Sequence, residues 1–111
     1  RERKALMEAR SDAFIMTPGG IGTFEEFFEI LTLKQLARHS KAIAVLNTKG
    51  YFDPMLAMME RSIADGFVTS TVGDLYYFTD EPEKVLDYLE TYVPVEVAPS
   101  VYKKGVDDGT K

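Results

Sequence analysis

Two short and continuously apolar runs, with a helical pattern between them, constrain the fold of this chain more than any other feature. Residues 13–17 form the first run and residues 42–46 the second, while apolar residues recur at helical spacing from Phe24 to about Arg38. Short apolar runs without alternation are typical of parallel strands covered on both faces, and parallel strands need a crossover, usually a helix. The pattern therefore predicts an α/β fold.

The remaining segments continue this alternation of helices and strands. We predict a helix over residues 2–10, a helix from the N-cap Asp53 to Gly66, a strand over residues 75–78, and a helix that begins around Pro82. The complete order is then α-β-α-β-α-β-α, which predicts one parallel sheet flanked by helices.

Composition narrows the class of protein. The chain has 111 residues, 45% of them hydrophobic, which suits one small globular domain with a core. A formal net charge of −5 argues against binding to a nucleic-acid backbone. There are no cysteines, so disulfides and thiolate metal sites are excluded and a reducing cytoplasmic setting fits. No apolar run approaches the roughly 20 residues of a membrane span, and no signal-peptide pattern opens the chain.

The start of the chain indicates a piece of a longer protein. Its first residue is Arg1 instead of Met, and it begins directly inside a helical pattern. Three strands also make a thin sheet for this class of fold, which points to missing upstream strands. We expect residues 1–92 to form the C-terminal part of a domain and residues 93–111 to form an extended or mobile tail.

A loop rich in glycine connects the first predicted strand to the helix that follows it. Residues 18–23, Pro-Gly-Gly-Ile-Gly-Thr, form this glycine loop. Glycine lets the backbone turn sharply and approach a bound group, and a helix N-terminus offers unpaired N–H groups to an anion. The spacing is neither the dinucleotide G-x-G-x-x-G nor the Walker pattern. It is compatible with the phosphate of a nucleoside monophosphate.

Two carboxylates, Glu25 and Glu26, follow the glycine loop and allow two interpretations. In the first, Thr23 is the N-cap and Glu26 reaches back to it as a capping box, which stabilises the helix by about 1 kcal/mol. In the second, a carboxylate faces a part of the ligand where positive charge develops. The ribose carbon becomes such a centre, oxocarbenium-like, when an N-glycosidic bond breaks. The sequence leaves both interpretations open.

Topology brings several loops to one edge of the predicted sheet. In right-handed crossovers, every strand ends and every following helix begins at the carboxyl edge. The loops at residues 18–23, 47–53 and 79–82 are therefore expected there, together with the start of the first helix, which carries Arg3 and Lys4. Arg3 is either a solvated cation on a charged helix or a group that binds phosphate or helps a base to leave.

Other residues with functional chemistry have simpler structural interpretations. His39, the only histidine, lies at a helix end where an imidazolium is mildly favourable, and we interpret it as structural. Tyr76 and Tyr77 are interpreted as strand packing, not as a platform for a nucleobase.

Three segments together resemble the signature of the Lonely guy family. They are Arg3-Lys4, Asp12-Ala13-Phe14 and the stretch from Pro18 to Glu26, which meets the pattern P-G-G-x-G-T-x-x-E in full. Members of this family are cytokinin riboside 5′-monophosphate phosphoribohydrolases, often labelled lysine decarboxylases. The resemblance covers roughly residues 1–92. This segment is similar to the C-terminal portion of the family domain.

The resemblance implies a Rossmann-like fold and hydrolysis of a nucleoside 5′-monophosphate to free base and ribose 5-phosphate. It also implies no metal or organic cofactor, no nucleic-acid or membrane partner, and a homodimer with sites near the subunit interface. The family's upstream half, with further strands and another acid that contacts substrate, is not present in this sequence. We therefore expect the 111-residue chain to need that segment for activity.

The resemblance also assigns roles to individual residues. Arg3 and Glu26 correspond to the catalytic residues. The implied substrate contacts are Lys4, Gly20, Ile21, Gly22, Thr23, Phe24, Glu25 and Thr32. Two alternatives remain: a nucleotide-binding or carrier module without turnover, and an amino-acid decarboxylase. The decarboxylase fits less well, because no lysine lies in a recognisable Ser-x-His-Lys setting for pyridoxal phosphate.

Overall fold

The computed structural model of the protein describes residues 13–94. Its elements are β1 (Ala13–Met16), α1 (Ile21–Gln35), β2 (Ala42–Leu46), a 3-10 helix (Thr48–Gly50), α2 (Asp53–Ala64), a second 3-10 helix (Ser70–Asp74), β3 (Tyr77–Thr79) and α3 (Pro82–Thr91). The predicted helix over residues 2–10 and most of the predicted tail lie outside the described residues.

The three strands form one parallel sheet in the order β1-β2-β3. Met16 pairs with Val45 across the first strand pair, and Val45 pairs with Phe78 across the second. The predicted α/β fold, with a parallel sheet flanked by helices, is therefore confirmed. No helix within the described range is long and apolar enough to cross a membrane.

The two faces of β2 carry different side chains because successive residues of a strand point to opposite sides. Ile43 and Val45 belong to the main apolar core, which they share with Phe27 of α1 and Met59 of α2. Ala42 and Ala44 are also fully buried but lie outside that core cluster. Helix α3 packs closely on β2 and β3, and small alanine side chains permit such an approach.

Helix α1 differs from its predicted bounds at both ends. It begins at Ile21, because the N–H of Phe24 donates to the carbonyl of Gly20 at 3.1 Å and closes the first helical turn. It ends at Gln35 instead of continuing to Arg38, because Ala37 adopts a left-handed conformation with φ 61°. The N–H of Arg38 donates back to the carbonyl of Leu33 at 2.8 Å, which completes a Schellman motif.

Two further boundaries and the burial of one residue also differ from prediction. Asp53 is the first residue of α2 and not its N-cap, which is Phe52, whereas Gly66 follows the helix end with φ 84°, as expected for a C-terminal glycine. The third strand starts at Tyr77, because Leu75 is buried where it closes the second 3-10 helix. Leu86, predicted on the buried face of the last helix, is exposed.

The amino edge of the sheet, where the strands begin, is closed by buried polar contacts. Lys34 is fully buried near the end of α1, donates from Nζ to the carbonyl of Leu75 at 2.9 Å, and lies 5.0 Å from the ring centroid of Tyr92. Burial lowers the pKa of the Lys34 ammonium to about 8. The lysine therefore joins α1 to the segment before β3.

His39 connects α1 to the start of β2 at the same edge. Its Nδ1 accepts the N–H of Lys41 at 3.1 Å, and its Nε2 lies 3.0 Å from the carbonyl of Ile30, to which it donates. This pair of contacts defines the neutral tautomer with the proton on Nε2. His39 thus joins the end of α1 to the start of β2, in agreement with its structural interpretation.

Candidate active site

The carboxyl edge of the sheet brings three loops together. The hydroxyl of Tyr51, in the loop of residues 47–53 that we call the Asn47 loop, donates to the carbonyl of Gly19 at 2.5 Å. The N–H of Asn47 donates to the carbonyl of Thr79 at 2.7 Å, which links this loop to the end of β3. The predicted convergence of the three loops is confirmed. Arg3 and Lys4, expected at the same edge, lie outside the described residues.

The three glycines of the glycine loop serve different purposes. A Cβ atom at Gly19 would overlap the hydroxyl of Thr23, so a larger residue there would force the threonine side chain to move. A Cβ atom at Gly20 or Gly22 would meet nothing within 4 Å. Packing within the described residues therefore does not explain these two glycines. They leave open space beside the backbone at the start of α1.

A cavity of about 160 Å³ lies between β1 and α1 beside this loop. Its walls come from both elements and from the neighbouring strand: Phe14, Ile15, Met16, Thr17, Thr23, Glu26, Phe27, Ile30 and Ile43. Thr23, Glu26, Phe27 and Ile30 share one face of α1 because they follow helical spacing. The cavity is thus apolar at its base and polar where Thr17, Thr23 and Glu26 contribute.

Glu26 does not cap the helix, so the capping-box interpretation is wrong. The N-cap is Gly20, no side chain donates or accepts a capping hydrogen bond, and Glu26 is the sixth residue of α1. A capping box requires its glutamate at the third helical position, which Thr23 occupies. Within residues 13–94, Glu26 forms no ion pair. An exposed carboxylate at a cavity wall can stabilise a cation or orient a water molecule.

The remaining predicted site residues differ in their relation to the cavity. Ile21 and Glu25 are exposed and do not line it, and Phe24 packs partly against the core. Thr32 lies about two turns beyond Phe24 along α1, where its hydroxyl donates to the carbonyl of Phe28 at 2.6 Å. Of the predicted residues that the structure describes, only Thr23 and Glu26 line the cavity.

Sequence reasoning missed two contributions to this region. Residues 14–17, at the end of β1, form much of the cavity wall. Their apolar run predicted a strand but gave no sign that the strand borders a cavity. Tyr51 contacts the glycine loop across 32 positions of sequence. The topology placed its loop at the correct edge, but no local signal identifies the partner of its hydroxyl.

The described lysines do not provide a Schiff-base site in this cavity. None of the four lysines between residues 13 and 94 lines it, and the buried Lys34 donates to Leu75 at the opposite edge of the sheet. Within the same range, no cluster of three or more His, Cys, Asp or Glu side chains is arranged to hold a metal ion.

Comparison with known proteins identifies the family. A family described as "Possible lysine decarboxylase" matches residues 1–89, a range that contains the glycine loop, Glu26 and Arg3. The chain belongs to this family.

Curated relatives of this chain are named for a different activity from the one in the family description. A probable cytokinin riboside 5′-monophosphate phosphoribohydrolase from Oryza sativa subsp. japonica is 43% identical over 94 residues, which are 85% of this chain and 41% of the relative. An Arabidopsis thaliana cytokinin riboside 5′-monophosphate phosphoribohydrolase is 41% identical over 93 residues, 84% of this chain and 44% of the relative. The chain thus spans less than half the length of these relatives. The resemblance to the Lonely guy family is confirmed.

Proposed function

We propose that the intact protein hydrolyses the N-glycosidic bond of a nucleoside 5′-monophosphate, such as a cytokinin riboside monophosphate or adenosine monophosphate. The relatives described above are named for hydrolysis of a cytokinin riboside 5′-monophosphate. The observation that carries the proposal is the position of Glu26: it is not used for capping and lines a cavity beside the glycine loop.

The glycine loop is proposed to hold the phosphate. Gly20 and Gly22 leave space for a group to approach the backbone, and the first turn of α1 presents N–H groups with the positive end of the helix dipole. The hydroxyl of Thr23 adds a donor at the cavity wall. The proposed contacts of Lys4, Ile21, Phe24, Glu25 and Thr32 rest on the resemblance.

Glu26 is proposed to act at the other end of the ribose. Water attacks the anomeric carbon, the bond to the base nitrogen breaks, and its electron pair leaves with the base, which gains a proton. The water oxygen stays on ribose 5-phosphate. A carboxylate stabilises the oxocarbenium-like charge and orients the water. Arg3 is proposed to bind phosphate or to assist departure of the base.

The experiment compares the Glu26→Gln variant of the intact protein with wild type. Glutamine keeps the shape but removes the negative charge, so release of free base and ribose 5-phosphate should fall at least about 100-fold, whereas the nucleotide Kd should change little. The measurement is chromatography of products from several nucleoside monophosphates, with calorimetry for binding.

Glu90→Gln is the matched control, because Glu90 is exposed near the end of α3 and does not line the cavity. It should retain wild-type activity. A wild-type protein that binds nucleotide without releasing base would favour the non-catalytic binding module. Absence of both binding and release would refute the proposal.

The homodimer implied by the resemblance, and a cytoplasmic location, are part of the proposal. Two exposed apolar side chains on α1 support self-association: Ile21 is 80% exposed and Phe28 is 40% exposed. They lie seven residues apart, on one face of the helix. Sedimentation equilibrium of the intact protein measures its oligomeric state. A monomer would contradict this part of the proposal.

A further inference from the structure

The Asn47 loop contacts the glycine loop through a side chain that the proposed chemistry does not use. The Tyr51 hydroxyl donates to the carbonyl of Gly19, while the tyrosine remains 48% exposed and its ring meets Phe52 edge to face with 4.9 Å between centroids. Burial alone does not explain a tyrosine at this place, because half of it faces solvent. The hydroxyl contact is its specific feature.

This contact fixes one peptide group of the glycine loop. In a trans peptide the carbonyl and the N–H point in opposite directions. Tyr51 holds the Gly19 carbonyl oxygen toward the Asn47 loop, so the N–H of Gly20 in the same peptide points away from that loop. Glycine flanks this peptide on both sides, so its reorientation meets little steric resistance without such a contact. A flipped peptide would turn an oxygen, instead of an N–H, toward the opposite side.

The donor is itself held in place by its loop. The side-chain oxygen of Asn47 accepts the N–H of Phe52 at 2.6 Å, and the side-chain nitrogen donates to Asp53 at 2.8 Å. Gly50 has φ 71°, and a Cβ atom there would lie 2.6 Å from a carboxylate oxygen of Asp53. Tyr51 therefore extends from a loop that is clamped at both ends.

We infer that Tyr51 is a positioning residue for the phosphate group, because its hydroxyl fixes the Gly19–Gly20 peptide in the orientation that an anion requires. The inference rests on the proposed function. It assigns to the Asn47 loop a role in distinguishing phosphorylated from unphosphorylated ligands, although the tyrosine itself need not contact the substrate.

The test is calorimetric titration of the intact protein and its Tyr51→Phe variant with two ligands. Ribose 5-phosphate carries the phosphate and is not consumed by hydrolysis, whereas adenosine lacks the phosphate. We expect the Kd for ribose 5-phosphate to rise about 5- to 10-fold, which corresponds to one lost hydrogen bond, and the Kd for adenosine to stay unchanged. Tyr77→Phe is the matched control, because its ring stacks on Tyr88 of α3, and it should change neither value.

Two results would overturn the inference. One is an unchanged ratio of the two dissociation constants in Tyr51→Phe, whether both ligands weaken together or neither does. The other is a wild-type protein that does not bind ribose 5-phosphate. A general loss of packing would weaken both ligands equally and so leave the ratio constant. Failure of the proposed hydrolysis appears separately, as the absence of base release from nucleoside monophosphates by wild type.

Discussion

The two edges of the sheet use polar groups in opposite ways. At the amino edge, Lys34 and His39 are committed to backbone carbonyls and join helices to strands. At the carboxyl edge, Glu26 is exposed at a cavity, and the backbone at Gly20 and Gly22 is open. The polar groups at the amino edge thus complete structural contacts, whereas those at the carboxyl edge remain accessible to a ligand.

The two edges also differ in the source of their energetic cost: burial of an amine at the amino edge and flexible glycines at the carboxyl edge. Burial of an amine requires a compensating hydrogen bond, which Leu75 supplies to Lys34. Flexible glycines also cost stability, about 0.5–1 kcal/mol each relative to alanine in a regular helix. At Gly22 no contact within the described residues explains that cost. The comparison therefore predicts that changes at the amino edge alter stability alone, whereas changes at the carboxyl edge alter function as well.

The largest expected effect is a pH dependence of stability that comes from Lys34. Its pKa is about 8 in the folded protein and about 10.5 in the unfolded chain, so between these values the unfolded state binds more protons and stability rises with pH. Below pH 8 both states are protonated and the contribution is flat. From pH 8 to 9.5 the free energy of unfolding should rise by about 1.5 kcal/mol.

Denaturant unfolding of the intact protein across this pH range measures the effect, and Lys34→Met should remove the slope. Burial raises the pKa values of Tyr76 and Tyr88, so their contribution to stability is present at lower pH and is lost as pH rises above 10. The measurement therefore ends below pH 10. A wild-type slope equal to that of Lys34→Met would show that the lysine does not control stability at the amino edge.

An intermediate effect is expected from Gly22→Ala at the carboxyl edge. The methyl group enters open space at the second position of α1, so the free energy of unfolding should rise by about 0.5–1 kcal/mol from better helix propensity. The same methyl group occupies room proposed for the ligand, so KM for nucleoside monophosphate should rise roughly 10-fold. Unfolding curves and base-release kinetics on one preparation measure both. A variant that gained stability with unchanged KM would break the comparison.

The smallest effect is expected from the reverse change, Ala37→Gly, at the amino edge. Ala37 has φ 61°, a conformation that costs a residue with a Cβ atom about 1–2 kcal/mol, partly offset by the greater freedom of glycine when unfolded. The free energy of unfolding should therefore rise by up to about 1 kcal/mol, with KM unchanged. Thermal unfolding detects this gain. A change in KM would mean that the two edges are energetically coupled.

The fold class followed from the sequence because the two apolar runs, 13–17 and 42–46, allow few alternatives. The convergence of loops followed from topology alone. The ends of the helices were harder to predict. Ala37 ends α1 in a left-handed conformation that glycine usually adopts, so the residue type gives no signal of the helix end. The domain limits at residues 1–92 and the tail beyond remain predictions.

The candidate site was predicted in part, for a similar reason. The motif from Pro18 to Glu26 located the loop and assigned the catalytic role to Glu26, but it did not show which of its side chains face a cavity. Only the packing of α1 on β1 shows that Glu26 lines the cavity and Glu25 does not. Tyr51 was not predictable, since its hydrogen bond joins residues that are distant in sequence. Local patterns identify a segment, whereas the orientation of side chains depends on tertiary contacts.

The clamped ring of His39 has a practical consequence for experiments in solution. It is the only histidine in the chain, so its imidazole signals in a nuclear magnetic resonance spectrum carry a distinctive assignment. One ring nitrogen accepts a backbone proton and the other retains its own, which makes the two nitrogens spectroscopically different. The side chain is thus an internal reporter for opening of the junction between α1 and β2, without any attached label.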